Sequence, residues 1–170
     1  MKKVFLCFVL CLISFATMNA QQASVTEVAL PKYLSHSSFD LSEFGMWGHV
    51  ITVNLGTEGV SGTEVFTGNG NYLSIAFMRS APRLVAGTYP IVSFEEVGEN
   101  TVLAGFPAMD GSGNWGSVWG TVTNNQSSNV QITSGVVRVT VNEDVFTIVL
   151  EGRTQHNNEI RARFTGRLGS

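Results

Sequence analysis

Two tryptophans four residues apart, Trp115 and Trp119, stand in a run that reads as one strand. At about 3.3 Å per residue they would share a face roughly 13 Å apart. With Asn114 beside them and Tyr72 as a further aromatic, that spacing suits the apolar faces of successive sugar rings. The competing reading fills the core with both indoles, since buried tryptophan is common in sandwiches. Arg161 and Arg163, with Arg167 beyond, alternate with Ile160, Ala162 and Phe164, so the guanidinium groups line one side of a strand. They would meet an anionic ligand, a carboxylate or a sulfated glycan. Otherwise they form a solvated face paired to carboxylates such as Glu151.

Other chemistry is thinly represented. Asp110, Ser112 and Asn114 have the alternate spacing that opens a calcium loop. Trp115 then replaces the turn glycine and Thr121 the bidentate glutamate, so a plain turn is expected and no metal. His36, His49 and His156 share no ligand spacing, and no GxSxG, HExxH or phosphate-loop motif is present. No residue is assigned a catalytic role and no cofactor is expected.

Elements that would position these residues follow from the alternation of apolar and polar side chains. Val137, Val139, Val141, then Phe146, Ile148, Leu150, then Ile160, Ala162, Phe164 recur at every second position, the period of a strand with one buried face. Asn142-Glu143-Asp144 and Gln155 to Asn158 supply turns between them, giving an antiparallel meander from Ile132 to Leu168. Upstream, Met46 to Leu55 predicts a strand with Trp47, His49, Ile51, Val53 and Leu55 on one side. Thr63 to Thr67 and Asn71 to Met78 predict a hairpin around Gly68-Asn69-Gly70, with Leu73, Ile75 and Phe77 inward. Pro90 in Gly87 to Ile91 argues for an edge strand. Thr123 to Asn129 reads as a polar loop. Before Gly45, Ser38 would cap one helical turn. The sum is a single all-β domain over residues 21–170, an antiparallel β-sandwich or β-barrel of roughly eight to ten strands.

Residues 1–20 form a secretory signal peptide by pattern: Met1-Lys2-Lys3, an apolar run from Val4 to Phe15, then Ala20. The run falls short of the roughly 20 residues of a membrane span. Both cysteines, Cys7 and Cys11, lie inside it, and Leu10 stands where a lipoprotein signal needs a small residue. The expected mature chain of about 150 residues therefore has no thiol and no lipid anchor, and must stand on its core alone. Ten Lys and Arg face 13 Asp and Glu. Loss of Lys2 and Lys3 takes the net charge to about −5, which argues against nucleic acid and anionic lipid as partners.

Four stretches carry a resemblance: Ala86-Gly87-Thr88-Tyr89, Ser134 to Val139, Phe146-Thr147-Ile148, and Ile160 to Leu168. In strand-and-turn patterning over the second half, the chain resembles a loose class of small β-proteins exported by Gram-negative gut and oral bacteria. The resemblance implies a role in a surface or periplasmic assembly and no particular functional residue. The expectation is an exported, non-enzymatic β-domain, periplasmic or secreted, that binds a glycan, a cell-surface protein or an assembly partner. A barrel carrying a small apolar ligand and an enzyme acting on an extracellular polymer are the alternatives.

Overall fold

The structure, a computed structural model, describes residues 25, 27–108, 111 and 113–169. The expected signal peptide and the Asp110 and Ser112 of the turn lie outside them. The fold is all-β. Its strands are β1 (Val28–Ala29), β2 (Lys32–Asp40), β3 (His49–Gly56), β4 (Val60–Ser61), β5 (Thr67–Gly68), β6 (Gly70–Arg79) and β7 (Gly87–Val92). There follow β8 (Thr101–Leu103), β9 (Phe106–Pro107), β10 (Asn114–Trp115), β11 (Val118–Thr123), β12 (Gln126–Asn142), β13 (Val145–Thr154) and β14 (Glu159–Gly166). Among the described residues no helix is long and apolar enough to cross a membrane.

Ten strands make one sheet in the order β1-β14-β13-β12-β7-β8-β6-β3-β2, and β11 bonds to both β12 and β6. That double pairing closes a five-stranded barrel, β6-β8-β7-β12-β11, from which the other strands extend. Inward side chains from both wings fill a single interior: Ile51, Val53, Leu55, Leu73, Ile75, Phe77, Tyr89, Ile148, Leu150 and Phe164 are among those buried there. These include the predicted inward residues of β6 and most of those predicted on β3 and the meander; Trp47, which precedes β3, and Val141, near the end of β12, are exposed instead. Each large apolar side chain so buried contributes roughly 1.5–3 kcal/mol. Tyr89 stands edge-on to Phe77, centroids 5.1 Å apart, and donates its hydroxyl to the Val85 carbonyl at 2.8 Å.

The barrel closes at a tight junction. Buried Ser117 donates its backbone N–H to the Leu103 carbonyl (3.1 Å) and accepts the Ile132 N–H at its own carbonyl (3.0 Å). Its hydroxyl accepts the Ala76 N–H (3.1 Å). A Cβ on Gly105 would stand 2.4 Å from the Ser117 carbonyl oxygen, so only glycine fits there.

Several expectations are corrected. The antiparallel rule has two exceptions, β1 with β14 and β7 with β8. β7 is not an edge strand, but β8 reaches only Ile91 and Val92, so Pro90 lies where β7 has β12 alone beside it. β5 pairs with β4 and β6 with β3, so Gly68 to Gly70 makes no hairpin. The left-handed φ of Gly68 (97°) and Gly70 (145°) instead turns the chain between two sheets. The expected loop at Thr123 to Asn129 is a hairpin, with Asn124 and Asn125 both at positive φ (52° and 64°) between β11 and β12. β2 went unpredicted because its far half, Ser37 to Asp40, is exposed on an edge and shows no alternation. The helical turn is a 3-10 helix at Leu41–Phe44, capped by Asp40 instead of Ser38.

Candidate functional site

Trp115 and Trp119 do not share a strand. Gly116, at φ 77°, ends β10 after Trp115, and a Cβ there would lie 2.2 Å from the Ala104 carbonyl oxygen. The left-handed step sends the two indoles to different surroundings. Trp119, on β11, is half-buried against the interior, whereas Trp115 is 53% exposed. The two-platform spacing is thereby corrected to a single exposed indole.

Asn114 and Tyr72, 42 positions apart in sequence, are brought together by strands. Tyr72 on β6 lies opposite Gly120 on β11, which lies opposite Asn129 on β12. The tyrosine ring spans the glycine: a Cβ on Gly120 would fall 2.1 Å from it. Phe66 closes the other side, with centroids 4.2 Å apart, and Tyr72 is buried. Its hydroxyl accepts from Asn129 Nδ2 at 3.1 Å. Burial raises the Tyr72 pKa, opposed by that hydrogen bond.

The Asn129 bond is the end of a row. Gln131 Nε2 donates to Asn114 Oδ1 (2.8 Å), Asn114 Nδ2 to Asn129 Oδ1 (2.7 Å), and Asn129 Nδ2 to Tyr72. Three amides thus point in one sense, each fixing the next, and each retains lone pairs or N–H groups for a ligand. Trp115, the next residue after Asn114 on β10, pairs across β9 and β10 with Phe106, ring centroids 6.2 Å apart and planes 68° to one another. Phe106 in turn meets Phe94, which is 55% exposed, at 6.1 Å. Phe106 also packs on a small outer core of Leu41, Ala76, Met78 and Leu103 that seats the ladder on the sheet.

An exposed indole can cover the C–H face of a sugar, and oriented amides can hydrogen-bond its hydroxyls. The row itself consists of three amides and the Tyr72 hydroxyl. Among the described residues, no group of three or more His, Cys, Asp or Glu is placed to hold a metal ion.

Arg161 and Arg163 are elsewhere, exposed on β14. Glu151 stands opposite Arg161 in register but takes its hydrogen bond from Arg138 Nη1, at 2.6 Å. That bond lowers the Glu151 pKa. Of the histidines, His36 sits beside the Tyr33 hydroxyl (2.5 Å) and His156 beside Gln155, with no common site.

Sequence reasoning missed Phe94, Phe106, Asn129 and Gln131. Asn129 and Gln131 are two apart, which on a strand places them on one face, but the polar composition of Thr123 to Asn129 predicts a loop and hides the strand that carries both. The partners across the sheet are visible only in the pairing. No known protein family, curated protein or solved structure matches the chain.

Proposed function

We propose that this chain is an exported, non-enzymatic β-domain that binds a glycan through Trp115 and the amide row of Asn114, Asn129 and Gln131. One observation carries the reading: a half-exposed indole one residue along β10 from Asn114, whose amide is already oriented by Gln131 and Asn129. Amides held in place lose little freedom on binding, which favours ligand capture over fold maintenance as the use of so polar a row. The leader-like residues 1–20 support export to the periplasm or beyond. The interior favours surface binding over carriage of an apolar ligand, because Phe77, Tyr89, Phe164 and their aliphatic neighbours occupy it.

The test is titration of the mature protein with a panel of neutral oligosaccharides, followed by NMR amide shifts and calorimetry. Binding that perturbs residues 114–116 and 129–131, and is lost in Trp115→Ala while the melting temperature stays within a few degrees, is the expected result. An exposed indole contributes little to the fold, so the stability change should be about 1 kcal/mol or less. If Trp115→Ala unfolds the domain, or leaves saccharide affinity unchanged, the reading fails.

A further inference from the structure

A second concave feature lies on the other wing of the sheet, away from the aromatic ladder. The pairing of β12 with β13 slips between Ile132 and Ser134, a bulge that re-aims the strand. Just beyond it Gly135, at φ 133°, stands opposite Gly152, and a Cβ on Gly135 would fall 2.2 Å from the Glu151 carbonyl oxygen. Two facing glycines leave the strands without side-chain cover. The result is a cleft of about 290 Å³ bounded by Ser134, Glu151, Arg153, Glu159, Ile160 and Arg161. That volume is near the lower bound, about 300 Å³, of small-ligand sites.

The charges in this cleft are not equivalent. Glu151 is bound by Arg138 and Glu159 by Arg153, so both carboxylates already have cationic partners. Arg161 makes no ion pair among the described residues, and neither does Arg163, two positions along the same strand. Beyond these two ion pairs the cleft holds one further cation, Arg161, which acts on Glu151 across the register only at longer range and keeps its guanidinium N–H groups for a ligand. A guanidinium fork offers two parallel N–H donors to a planar carboxylate. The Ser134 hydroxyl can add a third donor, and Ile160 supplies apolar wall.

We propose that this cleft binds a carboxylate group, with Arg161 as its main anchor, and that it works independently of the Trp115 surface. The carboxylate belongs either to a free organic acid or to a uronic acid within a polymer. A neutral sugar would forgo the charge-assisted bonds to Arg161 and is expected to bind here more weakly.

The experiment follows backbone amide shifts of the mature protein with galacturonate, oligogalacturonate and, as neutral control, methyl galactoside. Both acids should move Ser134, Gly135, Gly152 and Arg161, with affinity falling as salt rises, and the neutral sugar should not. Tighter binding of the oligomer points to a polymer, and equal affinity to a free acid. Arg161→Gln should weaken binding at least tenfold and Arg161→Lys should restore only part of it. Arg167→Gln, whose arginine is paired to Asp144, should change it less than twofold. Absence of shifts at the cleft, or equal shifts with the neutral sugar, would overturn the proposal, as would full affinity in Arg161→Gln. Trp115→Ala should leave carboxylate binding intact, so failure of one site is distinguishable from failure of the other.

Discussion

Gly120→Ala is the substitution that most directly probes how the fold builds the amide row. A methyl group at this position would stand about 2 Å from the Tyr72 ring, closer than any non-bonded contact allows. The ring cannot swing away freely. It is 2% exposed, packed at a 38° tilt against Phe66 and hydrogen-bonded through its hydroxyl to Asn129. Overpacking of this kind costs about 1–3 kcal/mol, and loss of the hydroxyl bond adds about 1 kcal/mol. The expected total is about 2–4 kcal/mol, or roughly 5–15 °C in melting temperature for a domain of this size. Equilibrium unfolding in urea measures it. The decisive arm is the Tyr72→Val background, where no ring stands over position 120. There the same Gly120→Ala change should stabilise by about 0.5–1 kcal/mol, because alanine loses less chain entropy than glycine in a strand. A cost equal in both backgrounds would refute the claim that Tyr72 is what the glycine accommodates.

Two further outcomes follow from burial. Ser117→Ala strands the Ala76 N–H inside the barrel junction and should cost about 1–3 kcal/mol, read from the denaturation midpoint. Thr121→Ala, which removes an exposed side-chain bond to Asn71, should cost under about 0.5 kcal/mol. In alkali, the desolvated hydroxyls of Tyr72 and Tyr89 titrate above their ordinary value. Their contribution is therefore whole below pH of about 10 and is lost as pH rises through the raised folded values. Tyr89→Phe should be less stable at pH 8, lacking the bond to Val85, but should lose less stability between pH 8 and 11. Unfolding midpoints at both pH values, with tyrosinate absorbance, check this.

Local pattern reached far into this protein. Alternation on β3, β6 and the β12–β14 meander predicted the strands and their buried faces, because a two-residue period is imposed by each strand's own geometry. Turn chemistry did likewise: Glu143 and Asn157 take positive φ where turns were expected. By itself, then, the sequence determined an all-β chain and most of the side chains that line its interior. It grouped Asn114 and Tyr72 with Trp115 and Trp119 as candidates without showing which of them would meet.

Tertiary structure decided the rest. That β11 bonds to both β6 and β12, closing a barrel, depends on contacts between segments distant along the chain. So does the row from Gln131 through Asn114 and Asn129 to Tyr72, each member of which is an ordinary polar residue on its own strand. Gly116 separated two tryptophans that spacing had put together, since one left-handed residue redirects everything after it. Arg161 became distinct only when Arg138 and Arg153 had claimed the carboxylates and the facing glycines had opened a cleft that Arg161, and not the equally unpaired Arg163, lines. Periodicity is a property of one strand. Pairing, closure and the competition for partners are properties of several, and for that reason the candidate sites emerge only once the strands are assembled.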